Sequence, residues 1–143
     1  MHHTQSNHNT NHNNHYVVMF FIMVISGLLT TMNVWADKLD DIRLSLNDVY
    51  MILLMCGWML LFMGIVYKSM NAFLFGLALV ICNIWCIRTQ FLISEDQYKL
   101  GMIPHHSMAV HMSKKLLEKE NNIKPFLNNL IQTQDDEIVF LKK

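Results

Sequence analysis

The stretch M-I-P-H-H-S-M-A-V-H-M, Met102 to Met112, packs three histidines and three methionines into eleven residues. Wound as an α-helix at 100° per residue, it places His105, Met108, Ala109, Met112 and Leu116 within an arc of roughly 100°. One face then carries an imidazole and two thioethers. Met102 joins that arc at its edge, beyond Pro104, whose missing N–H predicts a kink. His106 lies on one flank, and His111 points about 120° away from His105.

Working outward, Ser94 followed by Glu95, Asp96 and Gln97 is a capping box with acidic residues in the first turn, so a helix is expected to start there. It runs to about Glu120, with Lys114, Lys115 and Lys119 in its last turns, and Asn121-Asn122 breaks it. A second helix begins near Ile123, where Pro125 is tolerated in the first turn. Its apolar stripe is Ile123, Phe126, Leu127, Leu130, Ile131, Ile138 and Leu141, and Gln134 and Glu137 fall inside it. A core-facing stripe excludes Glu unless the charge has a partner. Folding the hairpin about residues 121–124 sets Glu137 opposite His105 and Met108, and Gln134 opposite Met112. The candidate metal ligands are therefore His105, Met108, Met112 and Glu137, with Met102, His106, Gln134 and His111 around them. Two thioethers among the donors favour copper over zinc or iron. The competing reading is structural: His105 and His106 hydrogen-bond Glu137 and Gln134 to hold the hairpin together.

These same residues carry a family resemblance. M-I-P-H-H-S-M-A-V-H-M, preceded by Glu95-Asp96-Gln97-Tyr98 and followed by I-Q-T-Q-D-D-E-I at Ile131 to Ile138, resembles the signature of domain-of-unknown-function family 305 over residues 94–143. Arg88-Thr89-Gln90 after three apolar spans is similar to the membrane-anchored branch of that family. The resemblance implies a small ferritin-like helical domain, copper binding or copper homeostasis, and a bacterial-type inner membrane. Two positions depart from the pattern: the usual carboxylate after A-V is His111 here, and the methionine usual four residues beyond the E-I glutamate is Leu141.

The rest of the chain reads as an anchor. Of its 143 residues 52% are hydrophobic and 15% charged, far from the surface chemistry of a soluble domain of this size. Three stretches carry the apolar excess: Tyr16 to Ala36, Val49 to Tyr67, and Asn71 to Ile87. Each is long enough to cross a hydrocarbon core of roughly 30 Å. The first has no Lys or Arg before it and too long an apolar run for a secretory leader. The four-residue link Lys68-Ser69-Met70-Asn71 predicts an antiparallel pair, packed through Gly57, Gly64 and Gly76. Lys and Arg counts near the span ends favour a cytoplasmic terminal domain, whereas the copper-linked resemblance points to the opposite side. Residues 1–15, almost all His, Asn, Thr, Gln and Ser, are expected to be disordered.

The expected organisation is all-α: a tail over 1–15, a three-span membrane anchor over 16–93, and a two-helix ferritin-like hairpin over 94–143 that pairs with a second copy into a four-helix bundle or, as the alternative, docks onto its own spans. Methionines 19, 23, 51, 55, 59 and 63 and cysteines 56, 82 and 86 lie in the spans, where they read first as packing residues and second as a soft-metal route. Eleven basic against eleven acidic residues give no electrostatic footprint for nucleic acid. Neither Glu-x-x-His nor H-E-x-x-H nor G-x-S-x-G occurs, so the sequence points away from catalysis. The expected partners are the lipid bilayer, a metal ion and a second copy. The non-metal alternative is a membrane-anchored assembly module whose His and Met residues are structural.

Overall fold

A computed structural model describes the backbone of residues 6–143 and the side chains of residues 15–143. Among these the chain is all-helical: α1 (Ser6–Leu29), α2 (Leu46–Val66), α3 (Met70–Thr89), α4 (Glu95–Leu117) and α5 (Lys124–Leu141), with 3-10 turns at Met32–Trp35 and Leu39–Asp41. The chain divides into two compact units, one of α1 with Val49–Phe91 and one of Thr30–Asp48 with Leu92–Lys143.

The first unit contains three helices long and apolar enough to cross a membrane. Side chains such as Phe21, Ile25, Phe62, Ile65, Leu74 and Ile81 are exposed on its surface. Its helices approach one another most closely at glycines. A Cβ added at Gly64 would stand 2.4 Å from the backbone nitrogen of Phe73, and one at Gly76 would stand 2.4 Å from that of Leu61. At Gly57 the same atom would come within 3.0 Å of Val80 N, and at Gly27 within 2.8 Å of Ile52 Cγ2. The three glycines expected to join the second and third spans therefore do so, and Gly27 performs the same service between α1 and α2. Between α2 and α3 the chain reverses at Lys68, left-handed at φ 53°, with Ser69 N–H donating to Gly64 O at 2.9 Å and Lys68 N–H to Ile65 O at 3.3 Å. Buried Asn83 satisfies its amide on Leu79 O at 2.8 Å. The cysteines are free thiols.

The first candidate span runs His15–Trp35, close to the Tyr16 to Ala36 expected, although the helix α1 itself ends at Leu29 and Thr30 onward groups with the second unit. One expectation for this region needs correction. Residues 1–5 lie outside the described residues, but from Ser6 the chain is already helical where a disordered tail was expected. A helix nucleated in an apolar run extends cheaply into polar sequence, because nucleation and not propagation is the costly step.

In the second unit the hairpin α4–α5 is covered on one side by the segment Thr30–Asp48. Asn33 closes that segment on itself, accepting from Arg43 N–H at 2.9 Å and donating to Arg43 O at 2.7 Å. Asp48 caps the entry to α2, its carboxylate accepting from Ser45 N–H at 2.9 Å and Ser45 O–H at 2.8 Å. Ser94 caps α4 by accepting from Gln97 N–H, as expected, yet the Gln97 side chain accepts from Leu46 N–H at 2.7 Å and so caps α2 as well. α4 continues without interruption through the buried Pro104 and ends at Leu117, three residues before the expected stop. Asn121 then bonds the carbonyls of Leu116 and Lys119, and Pro125 sits in the first turn of α5.

The segment is held by Asp41, only 1% exposed. The Ser107 hydroxyl, fully buried on α4, donates to Asp41 Oδ2 at 2.6 Å and accepts from Asp37 N–H at 2.9 Å. Lys142 Nζ stands 2.7 Å from Asp41 Oδ1, a charge contact out of line for a hydrogen bond, and hydrogen-bonds Asp40 Oδ2 at 2.5 Å. Lys114 binds Asp37 at 2.6 Å, and Lys38 binds Asp135 at 3.3 Å. The hydrogen bond from Lys142, reinforced by its charge, holds Asp40 below its ordinary value, and the hydrogen bond to Asp40 together with the close Asp41 carboxylate pushes Lys142 up.

These contacts have measurable consequences. Gly64→Val, which drives side-chain atoms into the backbone of Phe73, is expected to cost about 3 kcal/mol, seen as a lower melting temperature by circular dichroism in detergent. Ser107→Ala strands the Asp37 N–H and one lobe of Asp41 and is expected to cost about 1–3 kcal/mol in the same measurement. Lys142→Met leaves a buried carboxylate without its counter-charge, at roughly 2–3 kcal/mol because solvent reaches the lysine. The pH dependence follows from the signs: the depressed Asp40 stabilises above its ordinary 3.8 and loses that contribution as pH falls through the lower folded value. The raised Lys142 contributes fully below 10.5 and loses its share as pH rises through the higher folded value. In the Lys142→Met variant both limbs of the melting-versus-pH curve should flatten.

Candidate functional site

The α4 residues that are buried are Ile103, Pro104, Ser107, Val110 and Ser113. On a 100° wheel Ile103, Ser107 and Val110 fall within roughly 60° of one another, and the arc of His105, Met108, Met112 and Leu116 is centred roughly opposite. The expected inward face is thus the outward one. His105 is exposed, Met112 is 52% exposed, and Met102 and Met108 are half-buried. The physical reason lies in the segment Thr30–Asp48. A two-helix hairpin standing alone would turn its richest apolar stripe inward, but here α4 is sandwiched between α5 and the segment, and Ser107 faces the buried side because the segment supplies its polar partners there.

Glu137 is met by His106 and not by His105. His106 Nδ1 is fully buried and lies 2.8 Å from Glu137 Oε2, without hydrogen-bond alignment, and Gln134 Nε2 donates to the same oxygen at 2.9 Å. The His105 ring stands edge-on to that of His106 with centroids 5.9 Å apart. His111 turns the other way, its Nδ1 3.9 Å from Asp37 Oδ1 on the segment. Of the eight candidate residues, then, His106, Gln134 and Glu137 converge. Met102, His105, Met108 and Met112 form a stripe of soft and imidazole donors on the surface, and His111 belongs to the polar seam under the segment.

On α5 the stripe that packs is Leu127, Ile131, Gln134, Ile138 and Leu141, and Ile138 joins Ile103 and Val110 in the core. Phe126 and Glu137, expected inside that stripe, are exposed. Among the described residues no three His, Cys, Asp or Glu side chains come together as a metal cluster does. The convergent trio is set closer than the ligands of a metal ion stand. Two donors on a tetrahedral ion with bonds near 2.0–2.1 Å stand roughly 3.3 Å apart, whereas His106 and Glu137 are 2.8 Å apart. In the first unit Met19 and Met63 line one shallow cavity with His15, Tyr16 and Tyr67, so two of the span methionines do share a site with an imidazole.

Asp37, Asp41, Ser107 and Lys142 were not singled out from sequence. Their signal was present: four aspartates in a short link between apolar spans are more charge than a link requires, and Ser107 is the one hydroxyl in the stretch from Met102 to Met112.

No protein-family model matches the chain, and no solved structure matches it. The similarity to family 305 therefore rests on the quoted residues. Among curated proteins, the uncharacterized protein L153 of Acanthamoeba polyphaga mimivirus is 41% identical over 129 residues, covering 85% of each chain. That relative is viral, which lends nothing to a bacterial-type inner membrane. With this identity over this share of both chains, the protein belongs to one family with the uncharacterized mimivirus protein.

Proposed function

We propose that the protein is an integral membrane protein, anchored in a lipid bilayer by three spans, whose terminal helical domain is a non-catalytic assembly module. The observation that supports this most directly is how the polar side chains of the second unit are used. His106 is paired with Glu137, His111 and Lys114 with Asp37, and Lys142 with Asp40 and Asp41. Groups that would serve as base, nucleophile or ligand are engaged in holding the segment and the two helices together. The second unit is also built from two pieces of chain that leave at Asp48 and return at Leu92. A domain assembled that way needs an even number of crossings between them, which α2 and α3 supply.

A second reading is favoured by a separate observation, the surface stripe of Met102, His105, Met108 and Met112. Thioethers and imidazole are donors suited to monovalent copper, and copper binding on this stripe is compatible with the structural use of His106 and His111.

Metal analysis of the purified full chain separates the two. The assembly reading expects copper well below one equivalent, unchanged in a His105→Ala, Met112→Ala double variant. One equivalent of copper that disappears in that variant would transfer the assignment to copper homeostasis. The anchor is tested by proteolysis of sealed vesicles, where residues 30–48 and 92–143 are expected to be cleaved or protected together.

A further inference from the structure

We infer that the uncovered side of the α4–α5 hairpin is a self-association surface whose occupant is a second copy of this chain. The inference rests on the assembly reading above and names the partner. One broad side of the hairpin is closed by Thr30–Asp48 through Ser107, Lys114, Asp135 and Lys142. On the other side α4 presents Tyr98, Met102, His105, Ala109, Met112 and Leu116, at successive spacings of four, three, four, three and four. α5 presents Phe126, Leu130, Thr133, Glu137 and Phe140, at four, three, four and three. Alternating spacings of four and three are those of a helix seam made for another helix. α5 already uses a second such seam, Leu127, Ile131, Gln134, Ile138 and Leu141, for its own hairpin. Helices with two seams apiece are the parts of a four-helix bundle, and each hairpin supplies two of the four.

The α4 seam is self-complementary, which a two-fold interface requires. Running α4 antiparallel to α4 of the second copy about Ser107 pairs Tyr98 with Leu116, Met102 with Met112, and His105 with the small Ala109. Large side chains meet at the ends, and at the centre a ring meets a methyl group.

The exposed area is of the right size. Tyr98, Phe126 and Phe140 are 51%, 59% and 69% exposed, each leaving on the order of 100 Å² in water. With Met112, Leu116 and the rest of the stripes the face offers roughly 800 Å² per copy, the share one partner contributes to a stable interface. A lipid surface is the poorer occupant. Neither stripe contains Lys or Arg, which a helix lying on an anionic bilayer carries, and the face holds the charged Glu137.

The test measures mass by light scattering on the full chain in detergent, with the detergent contribution subtracted. Wild type is expected to contain two chains per particle. Ala109→Glu and Phe140→Asp should each weaken the association about 30-fold or more, the effect of spoiling a central interface residue, while keeping the wild-type melting curve. One chain per particle in wild type overturns the proposal, as does a folded Ala109→Glu variant that stays paired, since the spans would then hold the copies. Should Ala109→Glu fail to fold, His105→Cys with Ala109→Cys, in a chain whose Cys56, Cys82 and Cys86 are serine, is expected to give a reductant-sensitive dimer on oxidation. Its absence overturns the pairing. Retention of wild type in membranes through an alkaline wash, combined with one chain per particle, defeats the dimer and leaves the anchored reading standing. Loss in the wash defeats both.

Discussion

The second unit depends on one carboxylate. Asp41, almost wholly removed from water, accepts from the Ser107 hydroxyl on α4 and faces the Lys142 ammonium just beyond α5. Three pieces of chain remote in sequence are thereby tied at one point. A charge so buried is costly unless every part of it is answered, and the same hydroxyl that answers Asp41 also accepts the Asp37 N–H. The cost falls on any arrangement in which the segment leaves the hairpin, so the network acts as a condition on the fold as much as a source of stability. The apolar core beside it is small, Ile103, Val110 and Ile138 with Ile131 and Leu141 at its margin. With so few buried apolar side chains, the polar contacts decide where the segment lies.

Much of the architecture was legible in the residues because local signals and global structure agree there. The apolar runs, the Ser94 cap, the Asn121-Asn122 break, Pro125 in the first turn and the close glycine contacts all follow from short-range chemistry. What was not legible is the rotation of α4. Periodicity identifies the richest apolar stripe but not which side is occupied, and here a link between spans took the place that a lone hairpin would have filled with His105, Met108 and Met112. Ser107 and Ser113 lie outside the arc expected to face inward, yet both are buried. A hydroxyl is tolerated inside when a partner from elsewhere in the chain meets it, and for Ser107 the partner lies 66 residues away.

The histidines illustrate the same lesson at finer scale. Adjacent on one helix, His105 and His106 differ by about 100° in direction, and that turn separates a surface ring from one buried against Glu137. His111 completes the spread by pointing at the segment. Three imidazoles that look like a cluster when read along the chain therefore occupy three different environments.

The division of the second unit into Thr30–Asp48 and Leu92–Lys143 also sets an order of events during synthesis. Asp40 and its partner Lys142 are 102 residues apart, a delay of roughly 5–20 s at ordinary rates of translation. Throughout that interval Asp40 and Asp41 are without the lysine that faces them, and until 66 residues have been added Asp41 is also without the Ser107 hydroxyl that donates to it. The segment stays hydrated while α2 and α3 are made, and only then does the helical hairpin arrive to close over it. The second unit is thus completed late in synthesis, after the helical pair that interrupts it, which makes completion of that pair a precondition for its folding rather than a parallel task.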